Sequence, residues 1–178
     1  MNSIPLPRVK KVAVIGPECT GKSDLSQFLA GHFKTDWVPE YARTYIDNLV
    51  RPYAQHDLLT IAHGQMRIED EWARGNPPLL ICDTNLYVIK VWSLFKFGTC
   101  DEEIIRQIAN RKYDLYLLTF IDVPWEDDPQ REHPDQRYQL YEAYLNEMKN
   151  QPVPFVEIKG EKEERRKMAI EAVEKILK

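Results

Sequence analysis

The segment that most constrains the fold is residues 12–23, where an apolar run ends at a glycine and a second glycine follows five positions later. Its sequence, VAVIGPECTGKS, matches the spacing G-x-x-x-x-G-K-[ST] of a phosphate-binding loop. The apolar run predicts a buried parallel strand. Gly16 and Gly21 permit the backbone angles that bring amide N–H groups close to phosphate oxygens. A helix is predicted to begin at Lys22, so its N-terminal N–H groups face the same anion.

This pattern predicts ATP and Mg²⁺ as cofactors. We expect Lys22 to reach the outer phosphates and Ser23 to ligate the metal. The alternative is an ordinary glycine turn between a strand and a helix, with an exposed lysine. The residues expected to bind the nucleotide are Gly16, Pro17, Glu18, Cys19, Thr20, Gly21, Lys22, Ser23 and Asp24.

The composition favours one domain over residues 1–178, because 43% apolar residues suffice for a core. A net charge of −4, with acidic and basic residues interspersed, argues against nucleic acid and anionic membranes as partners. Three cysteines without a C-x-x-C pair favour a reduced compartment, and Cys19 and Cys82 are expected to be small buried residues. We find no membrane-spanning run and no signal peptide, so a cytoplasmic protein is expected. A homo-oligomer stays possible.

The order of elements predicts an α/β fold. Strand-like runs cover residues 12–16, 36–40, 79–84, 115–122 and 154–160. Helical patterns cover residues 22–33, 41–50, 54–74, 85–96, 101–111, 136–150 and 161–177. Alternation of unbroken apolar strands with helices predicts a five-stranded parallel sheet covered on both faces. Ligands of such sheets lie at the carboxyl ends of the strands.

Two strand ends carry candidate site residues. Asp83 ends an apolar strand, where its carboxylate is placed to hold Mg²⁺ or a metal-bound water. Its alternative role is the N-cap of the next helix. Glu40, Tyr41 and Arg43 follow the short second strand; Glu40 is a candidate for holding a ribose or accepting a hydroxyl proton, and Arg43 for holding a phosphate. The alternative is an i, i+3 ion pair between Glu40 and Arg43.

A proline-rich, charged segment after the fourth strand, residues 122–137, is predicted to form a mobile lid. An arginine in such a lid stabilises charge on the transferring phosphoryl group, and closure excludes water. Trp125 is a candidate for stacking on a flat ligand, or for anchoring the loop to the core. The polar candidates are Asp122, Asp128, Arg131 and Arg137.

Two patterns receive structural interpretations. The four histidines have no metal-ligand spacing and are expected to be surface or structural residues: His32, His56, His63 and His133. A stripe at helical spacing is expected to belong to the core: Tyr138, Tyr141, Leu145 and Met148.

The class of phosphate-loop protein can be narrowed. The chain has no N-K-x-D stretch to read guanine, and it is short for a motor or an AAA-type machine. A kinase of the nucleoside or nucleotide type, with a lid that closes over a second substrate, remains. Two alternatives stay open: a kinase for another nucleoside or small metabolite, and an ATPase or switch that acts on a protein partner.

Five segments together resemble the nicotinamide riboside kinase domain of NadR-type proteins: GPECTGKS, WVPEYART, IAHGQMRIED, ICDTN and VPWEDDPQR. The resemblance runs from about Val12 to Leu177. It implies transfer of the ATP γ-phosphate to the ribose 5′-hydroxyl of nicotinamide riboside, which gives nicotinamide mononucleotide. It also implies that residues 16–23 bind ATP and that Asp83 serves the metal or the hydroxyl. The remaining implied site residues are Thr84 and residues 40–43 for the riboside, with Trp125, Asp128 and Arg131 in the lid.

The chain departs from that family in two ways. Only eleven residues precede the first predicted strand, so we expect no adenylyltransferase domain before the kinase. Pro129 follows the lid aspartate where the family has glycine, which fixes φ and stiffens the loop. Aromatic faces for a pyridinium cation are available near the expected pocket from Trp125, Tyr41, Tyr45, Tyr87 and Trp92.

Overall fold

A computed structural model describes residues 8–178, so seven residues of the expected domain 1–178 lie outside the described part. The strands are β1 (Lys10–Ile15), β2 (Trp37–Val38), β3 (Leu79–Asp83), β4 (Leu115–Thr119) and β5 (Phe155–Ile158). The helices are α1 (Lys22–Phe33), α2 (Tyr41–Asp47), α3 (Gln55–Ala73), α4 (Leu86–Phe97), α5 (Glu102–Asn110), α6 (Arg137–Lys149) and α7 (Lys162–Leu177). A 3₁₀ turn, Pro134–Gln136, precedes α6.

The five strands form one parallel sheet in the order β2-β3-β1-β4-β5, which confirms the predicted fold. Parallel neighbours require crossover helices, and these cover both faces. Alternate residues of each central strand point to opposite faces, which explains why β1, β3 and β4 are apolar along most of their length.

Each face of the sheet has its own apolar core. Val12, Val14 and Ile81 pack with residues of α1 and α7, such as Leu29 and Val173. On the opposite face, Ile15, Leu80 and Leu118 of the sheet pack with Tyr144 and Met148 of α6 and with residues of α3 and α4. A third cluster joins α2, α3, α4 and α5 beyond the edge strand. That cluster positions α2 and α4, which form two walls of the site described below.

The core stripe predicted on α6 is wrong at one position. Tyr141 and Met148 are buried, but Tyr138 is 60% exposed, and Leu140 and Tyr144 complete the buried face. Tyr138 lies in the first turn of the helix, where the inward direction is taken by Arg137, which donates to loop carbonyls. The buried face of α6 therefore begins about one turn later than the sequence pattern predicts.

In the part of the chain that the structure describes, every helix is too short or too polar to cross a membrane.

Candidate functional site

The phosphate loop, residues 16–23, connects β1 to α1 and has the conformation that its glycines predict. Gly16 has φ 140°, and a Cβ there would lie 2.4 Å from Thr119 Oγ1. Gly21 at φ 78° and Cys19 at φ 53° are both left-handed. Thr20 Oγ1 donates to Pro17 O at 2.8 Å and lies 2.7 Å from Thr119 Oγ1. The loop is thus fixed from beneath by hydroxyl groups, and its amides are left for an anion.

Lys22 folds back over this loop. It begins α1, as predicted, and its Nζ donates to Pro17 O at 2.7 Å. A carbonyl oxygen is a weak partner for an ammonium group compared with a phosphate oxygen. Lys22 is therefore already directed at the position where an anion would replace the carbonyl.

Asp83 and Ser23 meet beneath the mouth of the loop, because β3 is the direct neighbour of β1. Ser23 Oγ donates to Asp83 Oδ2 at 2.5 Å. Burial and the negative charge of Glu40 raise the pKa of Asp83 to about 6, although the hydrogen bond from Ser23 acts in the opposite direction. Asp83 Oδ1 is buried and has no hydrogen-bond partner among residues 8–178.

This pair fits a hard divalent cation. A hydroxyl and a carboxylate are the oxygen ligands that Mg²⁺ prefers, and the unpartnered Oδ1 provides a further lone pair. The residues described contain no cluster of three His, Cys, Asp or Glu that holds a metal alone, as expected when phosphate oxygens and water complete the shell. The N-cap alternative for Asp83 is excluded, because Asn85 caps α4 and accepts from Tyr87 N.

A cavity of about 320 Å³ opens above the loop. This volume lies in the range of small-molecule sites. Its lining includes all nine predicted nucleotide-binding residues, and Glu40, Arg43 and Arg131 as well. The other lining residues are Ala42, Ile46, Val88, Trp92, Phe95, Gln130, Glu132, His133, Leu140 and Tyr144.

Glu40 and Arg43 enter the cavity from opposite ends of the first turn of α2. Glu40 is the residue before the helix, and its negative charge contributes to the raised pKa of Asp83. Arg43 does not form the alternative ion pair with Glu40. Its Nη1 lies 3.0 Å from Asp128 Oδ2 in the lid instead. Tyr41 instead packs its ring against Gly64, outside the cavity lining.

The lid, residues 122–137, contributes Gln130, Arg131, Glu132 and His133 to the cavity lining and contacts several elements around it. Glu132 accepts hydrogen bonds from Tyr53 at 2.6 Å and Lys96 at 2.8 Å. Burial acts to raise the pKa of Glu132, but these two donors hold it below its ordinary value. On the opposite side, Glu18 of the phosphate loop accepts from the backbone N–H groups of Glu132 at 3.0 Å and His133 at 3.1 Å.

His133 has a structural role, which is one of the two roles expected for the histidines. Its ring Nδ1 lies 3.2 Å from Glu18 Oε1, and the ring packs edge-on against Phe95 at 5.0 Å. It therefore forms part of the cavity roof. The signal available in the sequence was its position in the lid, which spacing rules for metal ligands do not detect.

Of the residues predicted to bind the substrate, Glu40 and Arg43 line the cavity, and the following do not: Tyr41, Asp83, Thr84, Trp125 and Asp128. Trp125 Nε1 donates to Asp127 Oδ1 at 2.9 Å, and its ring faces Arg137 at 5.8 Å, outside the cavity lining. The stacking role predicted for Trp125 is thus not supported by its position. Thr84 is 3% exposed with φ 70°, and its N–H donates to Val14 O, which bends the chain after β3.

The flat aromatic surface comes from α4 instead. Trp92 Nε1 donates to Tyr53 Oη at 2.9 Å, which fixes the indole, and Phe95 lies one turn further along the cavity wall. The sequence named Trp92 among several aromatic candidates but missed Val88 and Phe95. Val88, Trp92 and Phe95 are spaced at i, i+4 and i+7, which places them on one face of α4. This spacing was the sequence signal that could have identified the cavity wall.

Comparison with known protein families agrees with this geometry. A family described as AAA domain matches residues 11–165. The trifunctional NAD biosynthesis/regulator protein NadR of Salmonella typhimurium strain LT2 is 28% identical over 126 residues, which cover 67% of this chain and 30% of that protein. The chain thus spans about a third of the length of this relative. The resemblance predicted from the five segments is confirmed.

Solved structures show the same fold. A NadR protein in complex with NR superposes with a TM-score of 0.77 at 21% identity, over 96% of this chain and 52% of that one. The thymidylate kinase of Ehrlichia chaffeensis superposes with a TM-score of 0.69 at 13% identity, over 94% of this chain and all of that one. At these identities the likeness establishes a phosphate-loop fold of the kinase type.

Proposed function

The chain belongs to the AAA domain family, and we propose that it is an ATP-dependent kinase that phosphorylates the ribose 5′-hydroxyl of nicotinamide riboside. The product would be nicotinamide mononucleotide. The observation that carries this proposal is the cavity above the phosphate loop, whose lining includes Ser23, which is bonded to Asp83, and the aromatic residues Trp92 and Phe95 of α4. Such a cavity suits a reaction between a nucleotide and a second, flat small molecule.

The phosphate loop is the proposed ATP site. Its amides and the first turn of α1 bind the phosphates, and Lys22 leaves Pro17 O for the outer phosphates. Arg131 lies in the roof of the same cavity, on the lid, and is the proposed source of charge for the transferring group. Preorganised cations of this kind stabilise the transition state because they need little rearrangement during the reaction.

Ser23 and Asp83 would hold Mg²⁺. The metal, when bound, neutralises charge on the phosphate oxygens. Asp83 is proposed to ligate the metal directly or through water, since its buried Oδ1 has no hydrogen-bond partner among the described residues. Glu40 lies on the α2 side of the cavity, so we assign it to a riboside hydroxyl, which it orients and from which it accepts a proton.

The aromatic end of the cavity is proposed to bind the nicotinamide ring. The aromatic residues Trp92 and Phe95 belong to the cavity lining, and so do Glu18 and Glu132, which carry carboxylates. A pyridinium cation is attracted by both kinds of group. Arg43 and Asp128 then close α2 onto the lid above the bound substrates. The similarity to proteins named for NAD biosynthesis, one of them bound to NR, supports this acceptor.

The test is an acceptor panel with mass detection of the product. Nicotinamide riboside, uridine, cytidine and thymidine are each incubated with ATP and Mg²⁺, and phosphorylated product is quantified. We expect nicotinamide riboside to react well ahead of the others, and Lys22→Ala to abolish turnover while the circular dichroism spectrum is unchanged. Equal or reversed preference would favour a general nucleoside kinase. ATP consumption that ignores every acceptor would favour an ATPase or switch.

The assignment of the aromatic wall has its own matched pair of variants. Trp92→Leu is expected to raise the KM for the riboside by a factor corresponding to about 1 to 2 kcal/mol, with a smaller change for ATP. Trp125→Leu removes a tryptophan of the lid that lies outside the cavity, and it serves as the comparison. A larger riboside effect in Trp125→Leu than in Trp92→Leu would return the stacking role to Trp125.

A further inference from the structure

Arg165 lies in the first turn of α7 and is 6% exposed. It is not among the site residues that were predicted from the sequence. Its guanidinium donates to three backbone carbonyls. Nη1 donates to Thr20 O at 2.8 Å, Nε to Gly160 O at 3.1 Å and Nη2 to Phe120 O at 2.7 Å. Nη2 also bonds the carboxylate of Asp122. One rigid side chain thus joins the loops that follow β1, β4 and β5.

These three loops lie at the carboxyl ends of adjacent strands, around one edge of the candidate site. Asp122 begins the lid, and its Oδ2 accepts from Gly160 N at 2.6 Å. Because the guanidinium is planar and its donors are fixed in direction, it sets the positions of the three loops relative to one another. Without it, the buried carbonyl of Thr20 would lose its charged donor.

The contact with Thr20 has a direct consequence for anion binding. The Thr20 carbonyl and the Gly21 amide belong to the same planar trans peptide, so the C=O bond and the N–H bond point in opposite directions. When Arg165 holds the carbonyl from behind, the Gly21 N–H points away from Arg165. Gly21 has φ 78° and lines the cavity, and its position lies close to the guanidinium, since a Cβ on Gly21 would be 3.9 Å from Nη1.

From this geometry we infer that Arg165 is a positioning residue for the nucleotide phosphates. It orients the Thr20–Gly21 peptide and the start of the lid, and its positive charge lies directly behind the phosphate loop. It does not line the cavity, so it acts through the loop and not by contact with the nucleotide. The inference rests on the proposed ATP site, but it is independent of which acceptor is phosphorylated.

The chain offers a matched control in Arg111. This arginine is also largely buried, and it donates to Glu69 and Asp70. Glu69 is bonded to Lys11 near the beginning of β1, so this network lies at the amino ends of the strands, away from the phosphate loop. Arg111→Met therefore removes a buried, hydrogen-bonded arginine without changing the loops of the site.

The experiment measures the Kd of ATP with Mg²⁺ by calorimetry, without acceptor, and the thermal midpoint of each variant. We expect Arg165→Met to raise the Kd at least tenfold and Arg165→Lys to show an intermediate value, since lysine keeps the charge but loses the fixed donors. Arg111→Met should lower the thermal midpoint and leave the Kd within twofold of the wild type. If Arg165→Met does not fold, the Arg165→Lys comparison decides.

One result would contradict the inference about Arg165, and a different result would contradict the proposed function. An ATP affinity in Arg165→Lys and Arg165→Met equal to that of the wild type, with only the thermal midpoint lowered, would overturn the inference and make Arg165 a stabilising residue alone. A wild-type protein that binds no ATP would overturn the proposed function itself. The two failures are therefore distinguishable in one set of measurements.

Discussion

The contact between Glu18 and the lid leads to a quantitative prediction. One carboxylate oxygen of Glu18 accepts from two backbone N–H groups of the lid, at 3.0 and 3.1 Å, and the other lies 3.2 Å from the ring of His133. Glu18→Gln keeps the shape and one acceptor oxygen but removes the charge. Charge-assisted hydrogen bonds contribute about 1 kcal/mol more than neutral ones.

The expected loss is about 1 to 2 kcal/mol, because the three contacts share two oxygens and the side chain is partly exposed. That corresponds to about a 5- to 30-fold shift from the closed towards the open lid. Closure excludes water from the phosphoryl group, so the variant should hydrolyse more ATP per molecule of phosphorylated acceptor. Its kcat/KM for the acceptor should fall by a similar factor.

The assay measures ADP and phosphorylated acceptor in the same reaction, at acceptor concentrations below KM. Glu147→Gln is the matched control, because Glu147 is a partly buried glutamate that accepts from Lys90, on the α4–α6 contact outside the cavity lining. The control should keep the wild-type ratio of product to ADP. A wild-type ratio and a wild-type kcat/KM in Glu18→Gln would refute the role of this contact in holding the lid.

Three further predictions follow from the described contacts. Asp83→Asn should weaken the Mg²⁺ dependence of turnover with every acceptor, whereas Glu40→Gln should keep it and lower kcat/KM for the riboside; a magnesium titration showing the opposite pattern would reverse the two roles. Gly64→Ala places a Cβ 2.0 Å from a tyrosine ring and should cost about 1 to 3 kcal/mol in urea unfolding, whereas Gly31→Ala, with open space around it, should not destabilise. The hydrogen bond from Arg51 is the main reason why the pKa of Asp57 lies well below its ordinary value. The ionised Asp57 carboxylate therefore stabilises the fold above about pH 4, and this stabilisation is lost as the pH falls. Asp57→Asn should therefore unfold at lower urea than the wild type at pH 7 and approach it below about pH 3; a difference that is independent of pH would contradict this.

Local sequence was sufficient for the phosphate loop. The loop needs glycine at Gly16, where a Cβ would collide with Thr119, and left-handed backbone at Gly21. These demands lie within one short segment, so they leave a pattern that is readable without any knowledge of the fold. The strands and most helices were predicted for the same reason, because their apolar periodicity reflects burial on one or two faces.

The aromatic wall was predicted less well. Trp125 and Trp92 both stood out as large apolar residues, and the sequence favoured Trp125 because it lies in the lid. In the structure the Trp125 indole bonds Asp127 beside its own loop, whereas the Trp92 indole is oriented by Tyr53 from a different element. Which ring faces the cavity depends on how α4 packs beside α2 and the lid, and sequence spacing carries no information about that packing.

The sequence by itself determined the sheet, the phosphate loop and the set of residues at the strand ends, since each follows from local backbone demands or apolar period. The tertiary structure decided which of them meet. Ser23 reaches Asp83 because β3 pairs with β1, and Glu18 reaches His133 because the lid folds back over the loop. Arg165 joins Thr20 from 145 positions away in the chain. Such contacts bring distant segments together only when the core has packed, and a side chain's hydrogen-bond partners are chosen by that packing and not by its neighbours in sequence.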